Sequence, residues 1–397
     1  MTNENLPELT IGIVGHIDHG KTTLLSKLSG KWSDTHSEEM KRGITIKLGY
    51  ADMTIYEDNG KFNIEKKGKP VRYVSFIDNP GHEMLMATTL SGSAIIDAAI
   101  LVVAANEGIK PQTREHLMAL QAKHVKNIII VQNKIDIATK EKTLQNYKDI
   151  KNLIKGTIAE NAKIIPISAQ QDINLDKIYE ELTKIEIPKR NLDSNPIFLV
   201  ARSFDINRPG KEIEKLNGGV LGGSLKQGKL KVGDEIEIKP GLFTKKNNQV
   251  SYQTITTKIN SLFKGSNKVD EVTPGASISI ETELDPTLTK TDSLTGSVVS
   301  LKGTLPEITN KIKIKATKFE KTFTEKEEKI IENFKPSEML MLSVNTTITV
   351  GTVQKISGDT LELNLNIPIV ALKGDTLGIA RNLLGHWRLI GFGEIVE

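Results

Sequence analysis

The sequence predicts an α/β domain built on a mostly parallel sheet, followed by two antiparallel β-barrel domains. Three observations carry that prediction. Residues 1 to about 188 alternate apolar strand-like runs with amphipathic helix-like runs. After IPKRNLDSNP the chain changes to short strand-like runs broken by glycine and proline. A second break falls near GTLPEITN, after which the same style resumes. The expected domains are therefore 1–190, 195–302 and 304–397.

In the first domain the expected strands are LTIGIVG, YVSFID, AAILVVAA, NIIIVQN and KIIPISA. Between them TTLLSKL, HEMLMATTL, TREHLMALQAK and TLQNYKDIKNLIKGTIAE read as helices. Such alternation argues for parallel strands covered by helices on both faces, with ligands beyond the carboxyl ends of the strands. The loops after Val14, Ile77, Ala104, Val131 and Ile167 would converge there. Lys31 to Gly43 has no clear period and reads as a mobile loop, and residues 50 to 72 read as a hairpin or insertion with a lysine-rich tip, Lys61 to Lys69. The later parts contribute PIFLVARSF, GGVLGGSL, DEIEIKPG, ASISI and SLTGSVVSL, then KIKIKATKF, EMLMLSVNTTITVGTVQKI, DTLELNLNIPIV, DTLGIARNL and HWRLIGFGEI. Glycine and proline at that spacing signal small antiparallel barrels.

Composition narrows the function classes. At 397 residues, 38% hydrophobic and 26% charged, the chain is neither fully disordered nor collagen-like. A net charge of +4 permits a nucleic-acid partner without demanding one. With no cysteine there is no disulfide, thiol nucleophile or cysteine-ligated zinc. The longest apolar run, SAIIDAAILVVAA, is too short to span a bilayer and contains Asp97, and MTNENLPELT lacks the parts of a signal peptide. A cytoplasmic protein with no membrane partner is expected.

GHIDHGKT fits the phosphate-loop pattern GxxxxGK[ST], with a strand before it and a helix after it. Gly15 and Gly20 permit close backbone approach, Lys21 reaches the beta and gamma phosphates, and the Thr22 hydroxyl is a magnesium ligand. Asp18, His19 and Thr23 complete the loop expected against the nucleotide. In FIDNPGH, Asp78 would hold magnesium through a water and Gly81 would turn its amide toward a gamma phosphate. His82 would orient an attacking water, although an isolated histidine is more often a packed or surface residue. NKID follows a strand, so Asp136 can accept both guanine N1 and N2, a pair adenine does not offer. Asn133 would tie the base to the loop scaffold and the stem of Lys134 would cover a base face. Ser168, Ala169 and Gln170 would bring a backbone amide near guanine O6. In RGITI, Thr45 would bind magnesium only in the triphosphate state, an order-to-disorder switch, though Arg42, Gly43 and Thr45 also read as a plain strand entry.

Together these stretches resemble the translational GTPases of the elongation factor Tu class, in which a guanine-nucleotide domain precedes two barrels. SGSAIIDAAILVVAANEGIKPQTREHLMAL, NLIKGTIAENAKIIPISA, RSFDINRPG, KLNGGVLGGSLKQGKLKVGDEIEIKPG, LDPTLTKTDSLTG and WRLIGFGEI narrow this to the gamma subunits of archaeal and eukaryotic translation initiation factor 2. The resemblance implies GTP/GDP and Mg2+, methionylated initiator transfer RNA as cargo, an alpha subunit on the second domain, a beta subunit on the first, and delivery to the small ribosomal subunit. It implies Thr22 and Thr45 as ligands of the catalytic Mg2+, with Asp18 and Gly43 at a second one. Asp18 is otherwise a loop-stabilising carboxylate. Ile17 and Ile44 match an apolar pair that fences the water site from His82, so intrinsic hydrolysis should be slow. Two departures stand out. Relatives often carry a cysteine zinc knuckle where residues 51 to 71 have no cysteine, so no zinc is expected, and Asn79 replaces a usual alanine. The alternatives are a factor that delivers elongator or selenocysteinyl transfer RNA, and a nucleotide-binding scaffold without turnover.

Overall fold

The computed structural model describes residues 6–30, 49–78, 90, 92–208, 210–246, 249–323, 328–383 and 385–397. The chain divides into two compact units: Met1–Pro188 with Phe319–Glu332 and Asn382–Ile390, and Lys189–Lys318 with Asn333–Arg381 and Gly391–Glu397.

The first unit is organised on a seven-stranded sheet. Its strands are β1 (Glu8–Gly15), β2 (Gly49–Asp58), β3 (Lys61–Asn63), β4 (Lys69–Asp78), β5 (Ala98–Ala104), β6 (Asn127–Asn133) and β7 (Lys163–Pro166). They lie in the order β3-β2-β4-β1-β5-β6-β7. From β4 to β7 every neighbouring pair is parallel, while β2 runs antiparallel to β4 and to β3, so residues 49–78 form a meander. Among the described residues the helices with both ends defined are α1 (Lys21–Ser29), α2 (Pro111–Ala122), α3 (Lys140–Ile154) and α4 (Leu175–Lys184). Side chains alternate across a strand, and on β5 this sends Ala98, Ile100 and Val102 to a core shared with Leu24, Leu25 and Ile178. The opposite face carries Ala99, Leu101 and Val103 into a core with Leu117, Leu120 and Ile150. Helices thus cover both faces, which is why β5 has no polar residue.

Local chemistry fixes the helix ends. Pro111 begins α2, where a missing N–H costs nothing. The Thr139 hydroxyl caps α3 by accepting from Lys142 N at 3.3 Å. Gly30, at φ 68°, ends α1 in the left-handed region with its N–H on Ser26 O at 2.9 Å. Except for buried Leu90, the expected helix HEMLMATTL lies outside the described residues. Among the described residues no helix is long and apolar enough to cross a membrane.

Both barrel segments close. In the first, Glu235–Lys246, Val298–Leu301, Ile197–Phe204, Val220–Gln227, Ser277–Thr282 and Gln249–Lys264 follow one another, and the last pairs with the first. The long strand Gln249–Lys264 is absent from the sequence-based set because its apolar positions are interleaved with Thr, Lys and Asn. Ile255 and Ile259 face inward, and a register shift between Ile259 and Ser261 returns Leu262 to the core. The second ring is Ile308–Lys318, Thr360–Val370, Thr347–Ser357, Met339–Val344, Thr376–Leu383 and His386–Ile395.

Candidate functional site

At the carboxyl ends of β1, β4, β5, β6 and β7 the chain brings most of the predicted residues together. β1 ends in Gly15, at φ 140°, where a Cβ would fall 2.4 Å from Val102 O of β5. Gly20 has φ 89°, and a Cβ there would fall 2.5 Å from Asn133 Nδ2. Only glycine allows both approaches. Between them Asp18 adopts φ 60°, and Lys21, 7% exposed, closes the loop by donating from Nζ to His16 O at 2.9 Å. Successive amides in such a turn before a helix make an anion cradle. Thr22 Oγ1 donates to Oδ2 of the buried Asp78 at 2.9 Å, so the first turn of α1 meets the end of β4.

One side chain joins three loops. Asn133, at the end of β6, donates from Nδ2 to His19 O and accepts from Ala169 N at Oδ1, both at 3.0 Å. Ile135 N donates to Ile167 O at 3.2 Å and extends the link between the loops after β6 and β7. Beside these contacts a cavity of 220 Å³ brings Gly20 and Thr23 together with Asn133, Lys134, Asp136 and Ser168, Ala169 and Gln170. That is smaller than the ~300–1,000 Å³ of a site for a whole drug-sized ligand, and suits one flat end of a larger molecule. Lys134 stands at φ 62°, a strained angle for a side-chain-bearing residue that costs on the order of 1–3 kcal/mol. Gly43, Thr45, Gly81 and His82, like Arg42, Ile44 and Asn79, lie outside the described residues.

Three residues at the site are absent from the sequence-based set. On α2, Gln112 and His116 stand one turn apart and face the phosphate loop. His116 Nδ1 accepts from Gly15 N at 2.7 Å and Gln112 Oε1 from Ile17 N at 3.4 Å. Burial drives the His116 pKa down to about 3, helped by Lys21, so its ring is neutral and able to accept. Burial, then His16, lowers His19 to about 3, and burial also lowers His16. The adjacent Glu115, 1% exposed, pairs with Arg388 Nη1 at 2.8 Å. The third residue, Glu107, follows β5 and takes Lys134 Nζ at 3.2 Å. Burial would raise its carboxyl, but the hydrogen bond and charge of Lys134 bring it below the usual range. The signal for Gln112 and His116 was their i, i+4 spacing on a buried helix face.

Comparison with known proteins gives this arrangement its family. A model described as the Elongation factor Tu GTP binding domain matches residues 7–188, and one described as Initiation factor eIF2 gamma, C terminal, matches residues 310–395. The translation initiation factor 2 subunit gamma of Archaeoglobus fulgidus is 49% identical over 409 residues, covering 100% of this chain and 96% of that protein. The chain belongs to the translation initiation factor 2 gamma-subunit family. The gamma subunit of Pyrococcus furiosus is likewise 49% identical, with 98% of each chain covered. Among solved structures, a bacterial selenocysteine-specific elongation factor, EF-Sec, aligns at TM-score 0.77 and 24% identity. The alignment covers 98% of this chain and 58% of that one, and identity this low shows the fold alone. The elongation factor SelB of Methanococcus maripaludis, in complex with the GTP analogue GPPNHP, aligns at TM-score 0.75 and 25% identity over 99% of this chain and 80% of that one. As a gamma subunit the protein is a translational GTPase that binds GTP and GDP and acts in a multi-subunit initiation factor.

The residues present fit that nucleotide. The two glycines leave a cradle that a Cβ would fill, and the cavity that Gly20 also lines presents an exposed carboxylate, Asp136. The Thr22 hydroxyl against the Asp78 carboxylate is an all-oxygen donor pair of the kind Mg2+ takes.

Proposed function

We propose that this gamma subunit is a GTP-switched carrier of methionylated initiator transfer RNA, delivering it to the small ribosomal subunit within a complex that also holds alpha and beta subunits. The observation that carries this reading is the extent of the likeness, which runs through both barrels and not only the nucleotide domain. The three-domain division at 1–190, 195–302 and 304–397 belongs to the same proposal. Lys21 and the loop amides from Gly15 to Thr23, with Asp18 and His19, bind the phosphates. Asp136 selects guanine, Lys134 covers it, Asn133 fixes the loop, and Ser168, Ala169 and Gln170 close around O6. Thr22, Thr45 and Asp78, the last through water, would hold Mg2+, with Asp18 and Gly43 at a second ion. Mg2+ supplies charge neutralisation at the transferred phosphoryl group, which Lys21 shares. His82 orients the water, and Thr45 and Gly81 register whether the gamma phosphate is present.

Competition between methionylated initiator and elongator transfer RNAs, in the GTP and GDP states, tests cargo and switch together. Initiator preference confined to GTP is expected. The fold likeness to selenocysteine-specific elongation factors keeps the elongator reading as the rival, and elongator preference would establish it instead. Phosphate release in single turnover with ribosomes present would exclude a scaffold without turnover.

A further inference from the structure

Glu107 stands in the loop between β5 and α2, outside every stretch assigned to the nucleotide, yet it touches one of them and faces another. Its Oε1 takes Lys134 Nζ at 3.2 Å, and its Oε2 lies 4.0 Å from Nε2 of the fully buried His19. The loop that carries it is itself held. Glu107 N and Gly108 N both donate to Ala104 O, at 3.2 and 2.9 Å, in a turn that Gly108 completes at φ 81°. Lys134 is held at its other end by a backbone angle few lysines adopt, φ 62°. A long side chain fixed both at its backbone and at its ammonium has lost its rotamer freedom before any ligand arrives, and that loss is then not charged to binding.

His16, His19 and Glu107 lie within 4.8 Å of one another, but Lys21, Lys110 and Lys134 face them, an unfavourable field for a cation. Lys134 Nζ, at 3.2 Å, is the nearer partner of Glu107, and His19 Nε2, at 4.0 Å, stands beyond hydrogen-bond reach. We infer that Glu107 is a positioning residue for nucleotide binding: it holds Lys134 over the guanine cavity ahead of the ligand and so slows nucleotide release. This rests on NKID being the guanine loop.

The test is the dissociation rate of a fluorescent GDP analogue from the full-length chain. Glu107→Ala should accelerate release by about 3- to 10-fold, the scale set by a partly exposed pair that preorganises a side chain. Glu107→Asp should restore part of the effect, and competition by inorganic pyrophosphate should not change. In a Lys134→Ala background Glu107→Ala should add nothing, and the nucleotide-free melting temperature should stay at the wild-type value. Unchanged release, or acceleration that persists without Lys134 and tracks a fall in melting temperature, overturns the inference. Should Glu107→Ala not fold, the isosteric Glu107→Gln carries the same comparison. A wild-type chain that failed to bind GDP at all would sink the guanine-site assignment, which is a separate outcome.

Discussion

Two neutral histidines, His19 in the phosphate loop and His116 beneath it, make a quantitative claim about acid stability. His116 is 2% exposed and His19 0%, and burial lowers both to about 3 from an unfolded value of 6.5. With folded values depressed, the unfolded chain binds protons first as pH falls, so stability present above 6.5 is lost below it. Because both folded values lie far below pH 5.5, the loss over the upper part of that window depends only on the unfolded value. Between about pH 7.5 and 5.5 each group removes about 1.4 kcal/mol, and the pair about 2.7 kcal/mol. Most carboxylates stay ionised over that range, and His16 shifts in the same direction. Chemical denaturation of the nucleotide-free chain at the two pH values measures the loss. His116→Gln keeps an acceptor for the Gly15 amide but removes one titrating ring, so its loss should be about 1.4 kcal/mol smaller than that of wild type. An identical pH dependence in the two proteins would refute the neutral, buried state of His116.

Other substitutions probe the site by different routes. Asn133→Ala strands His19 O and Ala169 N and should cost about 2–4 kcal/mol in denaturant unfolding; a loss below about 1 kcal/mol would mean the bridge is dispensable. Gly20→Ala should weaken GDP binding at least about tenfold, since strain and the contact with Asn133 add. At Gly30, also of positive φ but with nothing within 4 Å of a Cβ, alanine should leave affinity unchanged, and equal titration curves for the two variants would refute the close-approach account. Asp136→Asn should lower the preference for GTP over ATP by about 10- to 100-fold in competition binding, and an unaltered preference would remove Asp136 from base selection. Within the first unit, Glu115→Gln or Arg388→Met alone should cost about 3–5 kcal/mol by leaving a buried charge, whereas Glu115→Leu with Arg388→Met should recover much of it; an additive double variant would contradict a buried pair.

Much of the first unit was legible because its parts are local. Strands such as Ala98–Ala104 are continuous apolar runs, and the phosphate loop announces itself through glycine at positions where no Cβ fits. The helix Leu175–Lys184 was equally legible, with Leu175, Ile178, Tyr179 and Leu182 at i, i+3, i+4 and i+7, although it is missing from the sequence-based set. His116, Gln112 and Glu107 belong to another class. Nothing within ten residues of His116 says that its ring meets an amide 101 positions away, and that contact exists only because β1 lies beside β5 and α2 packs beneath the loop. Glu107 likewise reads as a loop carboxylate until β6 places Lys134 beside it.

The Asn133 bridge also bears on how the chain matures. Its two hydrogen bonds span 114 and 36 residues, so the phosphate loop, made among the first segments, is clamped only after β6 and the loop following β7 have been synthesised and paired. Contacts of such separation form late, once the intervening chain has been ordered. A nascent chain that has not yet reached Ala169 therefore carries its phosphate loop without this clamp.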